Sequence, residues 1–181
     1  SGALIIKNAL LLDDAPYTED EFDRQWAPVD TLFSAKTITA TFSLSGLLKN
    51  QGLQFGRVSI EDASMHLTLE PGRYETNLTR IFRLESDDTP PTPGPELFNI
   101  HKVNIKNFRF RMNNFTEEDI VYSGTGLNYD NLDVHVENLR GRGLRYSGAK
   151  VYGICDEIKL TEKSGYVLDH LSASCAVGLG K

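Results

Sequence analysis

Four stretches of this chain repeat one phrase: an apolar alternation, a polar residue followed by Asn or Asp, and a second apolar alternation. It reads LIIKNALLL at Leu4–Leu12, VSIEDASMHL at Val58–Leu67, VNIKNFRFRM at Val103–Met112 and VHVENLRG at Val134–Gly141, with a shorter copy, IKLTEK, at Ile158–Lys163. Alternation with a period of two is a β-strand signal, so one β unit is reused along the chain. Anchored on Asn8, Asp62, Asn107, Asn138 and Glu162, the copies are 54, 45, 31 and 24 residues apart. Propellers and leucine-rich solenoids need a near-constant repeat, whereas an elongated sheet with loops of variable length fits this spacing.

The phase of the alternation changes inside each copy. In the third, Val103 and Ile105 are followed by Phe108, Phe110 and Met112. A strict period of two would put the second set on the opposite face. One extra residue at Lys106-Asn107 restores a single face if the chain bulges or turns a corner there, and Asn or Asp suits the corner because it tolerates left-handed geometry. The same shift occurs at Lys7-Asn8 and Glu61-Asp62, so the unit reads as strand, corner, strand, with the apolar side chains on one concave side.

Length and composition set limits. The 181 residues are 40% hydrophobic, enough for a single domain, 1–181, with a real core. A formal charge of −6 argues against a nucleic-acid partner, since phosphate contacts need a basic stripe. The densest basic group, Arg140, Arg142 and Arg145, reads as a solvated turn. No run of about 18 apolar residues is present to span a membrane as a helix. Ser1-Gly2 reads as a tag-cleavage remnant, and the alternation is at full strength near both Leu4 and Val177, so the chain is expected to be part of a longer protein.

Between the copies, Asp13–Asp30 is an acidic loop carrying Tyr17, Phe22 and Trp26, with one helical turn at Glu19–Gln25. Lys36–Leu44 is a strand with Ile38, Ala40, Phe42 and Leu44 on one face and Thr37, Thr39, Thr41 and Ser43 on the other. Pro71-Gly72 is a turn, and Thr76–Arg83 is predicted to be a short helix after a capping Thr or Asn. Residues 85–96, with four prolines and no large apolar side chain, form a solvated flexible loop. Later breaks are expected at Asn113–Asp119, Ser123–Gly126, Arg140–Gly143 and Glu162–Gly165, with Gly124-Thr125-Gly126 and Gly141-Arg142-Gly143 as hairpin turns.

Little in the chain points to catalysis. His66, His101, His135 and His170 are scattered, with His66 and His135 at outward positions and no pair at metal-ligand spacing. Asn128, Asp130, Asn131 and Asp133 lack the glycine and distal glutamate of a calcium loop and read as an Asx turn. Cys155 and Cys175 are too far apart for a CxxC site; Cys175 is expected to face inward and Cys155 outward, without a disulfide. No Ser, His and acid share a nucleophile context, so no enzyme and no cofactor is expected.

Several phrases together carry a family resemblance. DTLFSAKTITATFSLSGLL (Asp30–Leu48), GRVSIEDASMHL (Gly56–Leu67), YETNLTRIF (Tyr74–Phe82), the Pro-rich gap, the VNIKNFRF strand and EKSGYVLDHLSASC (Glu162–Cys175) follow one another in an order and spacing that resembles the N-terminal part of TamB-like members of the AsmA superfamily, in the form found in Bacteroidota. The long acidic loop and the lack of an N-terminal anchor depart from that pattern. The resemblance implies very long envelope proteins anchored in the inner membrane by one helix and crossing the periplasm as a half-pipe of β-sheet lined with apolar side chains. Its implied partners are lipid acyl chains, in phospholipid transport, or the outer-membrane assembly machinery.

The apolar stripe consists of Val58, Ile60, Met65 and Leu67, then Val103, Ile105, Phe108, Phe110 and Met112, then Val134 and Val136, then Ile158 and Leu160. On pattern alone such strands usually make the core of a β-sandwich, which would suit an adhesion or glycan-binding module. The resemblance favours the other architecture: an all-β, mostly antiparallel, curved sheet with an open apolar groove and one short helix. In that reading the stripe lines the groove, and edges near Leu4 and Val177 promote self-association.

Overall fold

The computed structural model describes residues 2–12, 31–43, 53–69, 76–78, 98–115, 126–147 and 150–178. Within them the chain forms seven strands: β1 (Gly2–Leu12), β2 (Thr31–Phe42), β3 (Leu53–Leu69), β4 (Phe98–Asn114), β5 (Asn131–Ser147), β6 (Lys150–Glu162) and β7 (Val167–Gly178). All seven lie in a single sheet in chain order, and β1 and β7 end it on opposite sides, so the sheet is open. Every neighbouring pair is antiparallel except β3 and β4, which run parallel. The expected loops at 13–30 and 85–96 and the turn at 71–72 lie outside the described residues. Of the expected helix, Thr76 instead forms a bridge to Leu69, Asn77 and Leu78 are helical, and 79–83 lie outside the described residues.

The corners are where the phase changes placed them. Asn8, Asp62 and Asn107 have φ of 54°, 51° and 51°, and they are the non-glycine residues with positive φ among those described. A left-handed residue inside a strand reverses the alternation once, which puts two consecutive residues on one face and bends the strand. The corners also align. Register is unbroken on both sides of the row Asn8, Lys36, Asp62 and Asn107, so the bend runs across β1 to β4 as one line. On β5 the line passes through Glu137, a bulge opposite β6, instead of the expected Asn138, and no left-handed residue is needed there. The fifth copy has no corner at Glu162. That buried residue ends β6, where its carboxylate accepts the Ser164 N–H at 2.7 Å and the Asp133 N–H at 3.3 Å.

The polar face of this line is stitched by side chains. The Asp62 carboxylate lies 3.4 Å from Lys36 Nζ and accepts the Asn107 amide N–H at 2.7 Å. The Asn107 amide oxygen is thereby turned to His135, whose Nε2 donates to it at 2.9 Å. The Asn107 hydrogen bond, followed by Lys36, holds the Asp62 carboxyl below its ordinary value.

One expected break is absent. Arg140–Gly143 lies inside β5, so Gly141-Arg142-Gly143 is no hairpin turn. A Cβ on Gly141 would sit 2.9 Å from the Ile154 carbonyl oxygen, and Gly143 has a φ of 62°, so both glycines serve a strand interior. The three arginines are accordingly on a strand: Arg140 pairs with Glu157, Arg142 lies 3.4 Å from Asp156, and Arg145 stacks 5.0 Å over the Tyr152 ring. The turn at Glu162–Gly165 is present, and Asn128 forms the expected Asx turn by accepting the Asp130 N–H at 3.0 Å. Gly124-Thr125 lies outside the described residues.

One cysteine assignment changes: Cys155, expected to face outward, lies on the apolar face in register with Gly141, while Cys175 keeps its expected face. Cys175 is exposed and Cys155 half-buried, and both are free thiols. The register puts Cys155 opposite Ala173 and Cys175 opposite Gly153, so the two share a face two residues apart. The even-numbered apolar set around Cys155 misled because an irregularity between Cys155 and Ile158 changes the phase there.

Candidate functional site

Pairing puts directly opposed residues on the same face of a sheet, so the register lists the apolar face row by row. One row is Leu4, Ala40, Val58, Val103 and Gly141; the next is Ile6, Ile38, Ile60, Ile105, Leu139, Ile158 and Leu171. Across the bend follow Ala9, Ala35, Ala63, Phe108, Val136, Leu160 and Leu168, then Leu11, Phe33, Met65, Phe110 and Val134, and finally Leu67, Met112 and Leu132. All thirteen residues of the sequence-derived stripe fall in these rows. Leu4, Ile6 and Leu11 on β1, Phe33 and Ala63, and Leu132, Leu139, Leu168 and Leu171 extend it. Their signal was present in the same alternation, but partners across strands were needed to assign their face.

This face is uncovered by any second sheet among the described residues. The buried apolar residues there are Ala35, Ala40, Ala63 and Val136, three of them alanines; the buried Leu32, next to Phe33, points to the opposite face. Ile38, Ile60, Ile105, Phe108 and Phe110 stay only half-buried, and Leu4 and Ile6 at the β1 edge are exposed. In a β-sandwich the large side chains at the centre would be the most buried residues in the molecule. Small residues fill the space between neighbours while large ones stand out of the sheet, which leaves a broad apolar surface of the kind that marks a binding face.

The opposite face is polar but not wholly solvated. Ser34 and Ser64 hydroxyls meet at 2.8 Å, Arg109 grips Asp133 with two hydrogen bonds of 2.8 and 2.6 Å, and Lys159 pairs with Glu137 at 2.7 Å. The Arg109 hydrogen bond keeps the Asp133 carboxyl below its ordinary value. At one end, where β3 runs past the start of β2, His66, Thr68 and Asn77 are buried. His66 is outward as its place in the alternation predicts, but enclosed.

That enclosure gives His66 a testable titration. Its Nε2 donates to Asn113 Oδ1 at 2.6 Å, an oxygen identified because the Asn113 amide nitrogen donates to Asn131. Nδ1 is therefore unprotonated, and neither it nor the buried Nε of Arg111, the residue opposite His66, has a hydrogen-bond partner. Burial pushes His66 below its ordinary value of 6.5; the Asn113 hydrogen bond opposes that shift, and the Arg111 charge adds to it. A folded-state value below the unfolded one means that the unfolded chain binds the extra proton first as pH falls, so the contribution is complete above 6.5 and is lost below it. Melting temperature is expected to fall between pH 7 and pH 5 more steeply for the parent chain than for His66→Gln. Parallel profiles would refute this assignment.

Chemically the apolar face can bind aliphatic surface without orienting it. Among the described residues no group of three or more His, Cys, Asp or Glu is arranged to hold a metal ion, and no helix is long and apolar enough to cross a membrane. In comparisons with known proteins, no family model, no curated protein and no solved structure matches this chain.

Proposed function

We propose that this chain is a non-enzymatic groove segment of an envelope protein, and that its apolar face shields lipid acyl chains from water. One observation carries the reading: two apolar rows, one on each side of the bend, run without interruption across β1 to β7 and no second sheet of described residues lies over them. An acyl chain has no hydrogen-bonding groups to satisfy, so a continuous strip of half-buried side chains is sufficient to hold it, at about 25 cal/mol per Å² of apolar surface covered. The resemblance to TamB-like proteins supports the periplasmic setting and phospholipid transport. It also supports a role in outer-membrane protein assembly, which would place a protein client against the same sheet.

A phospholipid carrying a photoreactive diazirine on its acyl chain tests the lipid reading. Crosslinks are expected at Phe108, Phe110, Val134 and Ile158. Phe110→Asp should reduce labelling about tenfold or more, because an ionised group among acyl chains costs several kcal/mol. The half-buried Phe110 leaves room for water at the new carboxylate, so the variant is expected to stay folded with a cooperative melt. Lys102→Asp, an exposed position beside Val103, is the suitable control; Arg109→Asp would face Asp133 and break an ion pair. Undiminished labelling of Phe110→Asp, or a collapsed melt, would sink the groove reading.

A further inference from the structure

The two edges of the sheet differ in kind. β7 ends one side with Asp169, His170, Ser172 and Ser174 along it and an irregular register to β6, features that discourage further pairing. β1 ends the other side with a register to β2 that is regular from Gly2 to Leu11 and shifts only at Leu12, and with a single charged residue, Lys7. It is also apolar on both faces. Leu4 and Ile6 are exposed on the apolar face, and Ile5, Leu10 and Leu12, with exposures of 60%, 60% and 49%, project from the face that is otherwise polar. On β2 to β4 the equivalent polar-face positions hold Thr, Ser, Arg and Asn. Among the described residues β1 pairs with β2 alone.

The corner restricts what can pair with this edge. Lys7 and Asn8 are consecutive polar-face residues, and β2 matches them with Thr37 and Lys36. A new antiparallel strand keeps every side chain on its proper face only if it brings its own pair of corner residues to the same place. β1 itself meets that requirement. A second copy related by a two-fold axis, with Lys7 opposite the second copy's Asn8, puts Ile5 opposite Leu10 on the polar face and Leu4 opposite Leu11 on the apolar face. Each pair then occurs twice, as a two-fold interface demands.

We propose that β1 is a homodimerisation edge, joining two copies of this chain antiparallel in that register into one fourteen-stranded sheet. The inference is independent of what the apolar face binds. It covers the exposed apolar residues on both faces of β1 at once, and it carries the bend line and the apolar rows from one protomer into its partner.

Analytical ultracentrifugation of the 181-residue chain is expected to show a dimer that dissociates on dilution. Ile5→Lys places two added charges near the axis and should raise the dissociation constant about tenfold or more, with its melt confirming that each copy stays folded. Ser172→Lys on β7 should change nothing. In a Cys155→Ser, Cys175→Ser background, mild oxidation of an equal mixture of Ile5→Cys and Leu10→Cys should give a mixed disulfide dimer, while Ile5→Cys alone crosslinks poorly, its two sulfurs being about 17 Å apart in this register. A strict monomer at millimolar concentration, a dimer indifferent to Ile5→Lys, or a dimer lost on Ile105→Asp instead, which would mark face-to-face packing, overturns the proposal. Equal crosslinking by Ile5→Cys alone overturns the register.

Discussion

Asn77→Ala is expected to destabilise the chain by about 2–5 kcal/mol, from the loss of one side chain that stands in for a missing strand. β2 begins at Thr31 and its register with β3 ends at Phe33 and Met65, so the next residues of β3 face that side without a strand partner. The Asn77 amide supplies one. Its oxygen accepts the Thr68 N–H and its own neighbour's Leu78 N–H, each at 3.0 Å, and its nitrogen donates to the His66 carbonyl at 2.9 Å. The side chain is 0% exposed, so water cannot replace it without opening the structure. Alanine leaves a buried donor and a buried acceptor unpaired, each costing about 1–3 kcal/mol. Asn77→Asp should also destabilise, since it keeps the acceptor but turns a carboxylate oxygen toward the His66 carbonyl. Urea titrations measure the effect as a lowered midpoint at unchanged slope, and amide exchange at Thr68 should accelerate. A loss below about 1 kcal/mol for Asn77→Ala would show that water reaches these groups.

Asn107→Val should cost about 2–4 kcal/mol, and Asn107→Gly about 1 kcal/mol or less. At a φ of 51° a β-branched side chain collides with its own backbone, whereas glycine is unstrained. Both substitutions remove the hydrogen bonds to Asp62 and His135, which are exposed and worth little individually. The difference between the two variants therefore isolates the left-handed corner from the polar stitching. Because the corner also sets the phase, Asn107→Val pushes β4 toward ordinary alternation, in which Phe108, Phe110 and Met112 turn to the polar face. The valine variant is expected to bind exposed-hydrophobe dyes that the glycine variant does not. Equal losses in the two would mean that the corner is held by its neighbours rather than by the residue at its apex.

Those corners are the best case of what the chain states locally. Whether a residue tolerates left-handed backbone depends on its own side chain, and alternation depends on the next two residues, so Asn8, Asp62 and Asn107 and the thirteen-residue stripe were readable from short windows. The same locality explains the failures. Asn138 and Glu162 occupy the anchor position of the phrase, yet neither is a left-handed corner, because β5 meets β6 through bulges that no single strand announces. Gly141 and Gly143 resemble a turn until their neighbours are known, and then prove to be a close approach to β6 and a kink.

Alternation by itself determined that these strands have one apolar face each; it is silent on what, if anything, lies against that face, since a sandwich core and an open groove have the same period. Only the tertiary structure decided for a single sheet, by leaving the large central side chains half-buried. It also decided the parallel pairing of β3 with β4, the enclosure of His66 and Asn77 where β3 outruns β2, and the contrast between an apolar β1 edge and a polar β7 edge. Each of these depends on which segment comes to lie beside which. That choice is made by contacts between residues distant in the chain, about which the periodicity of any one strand carries no information.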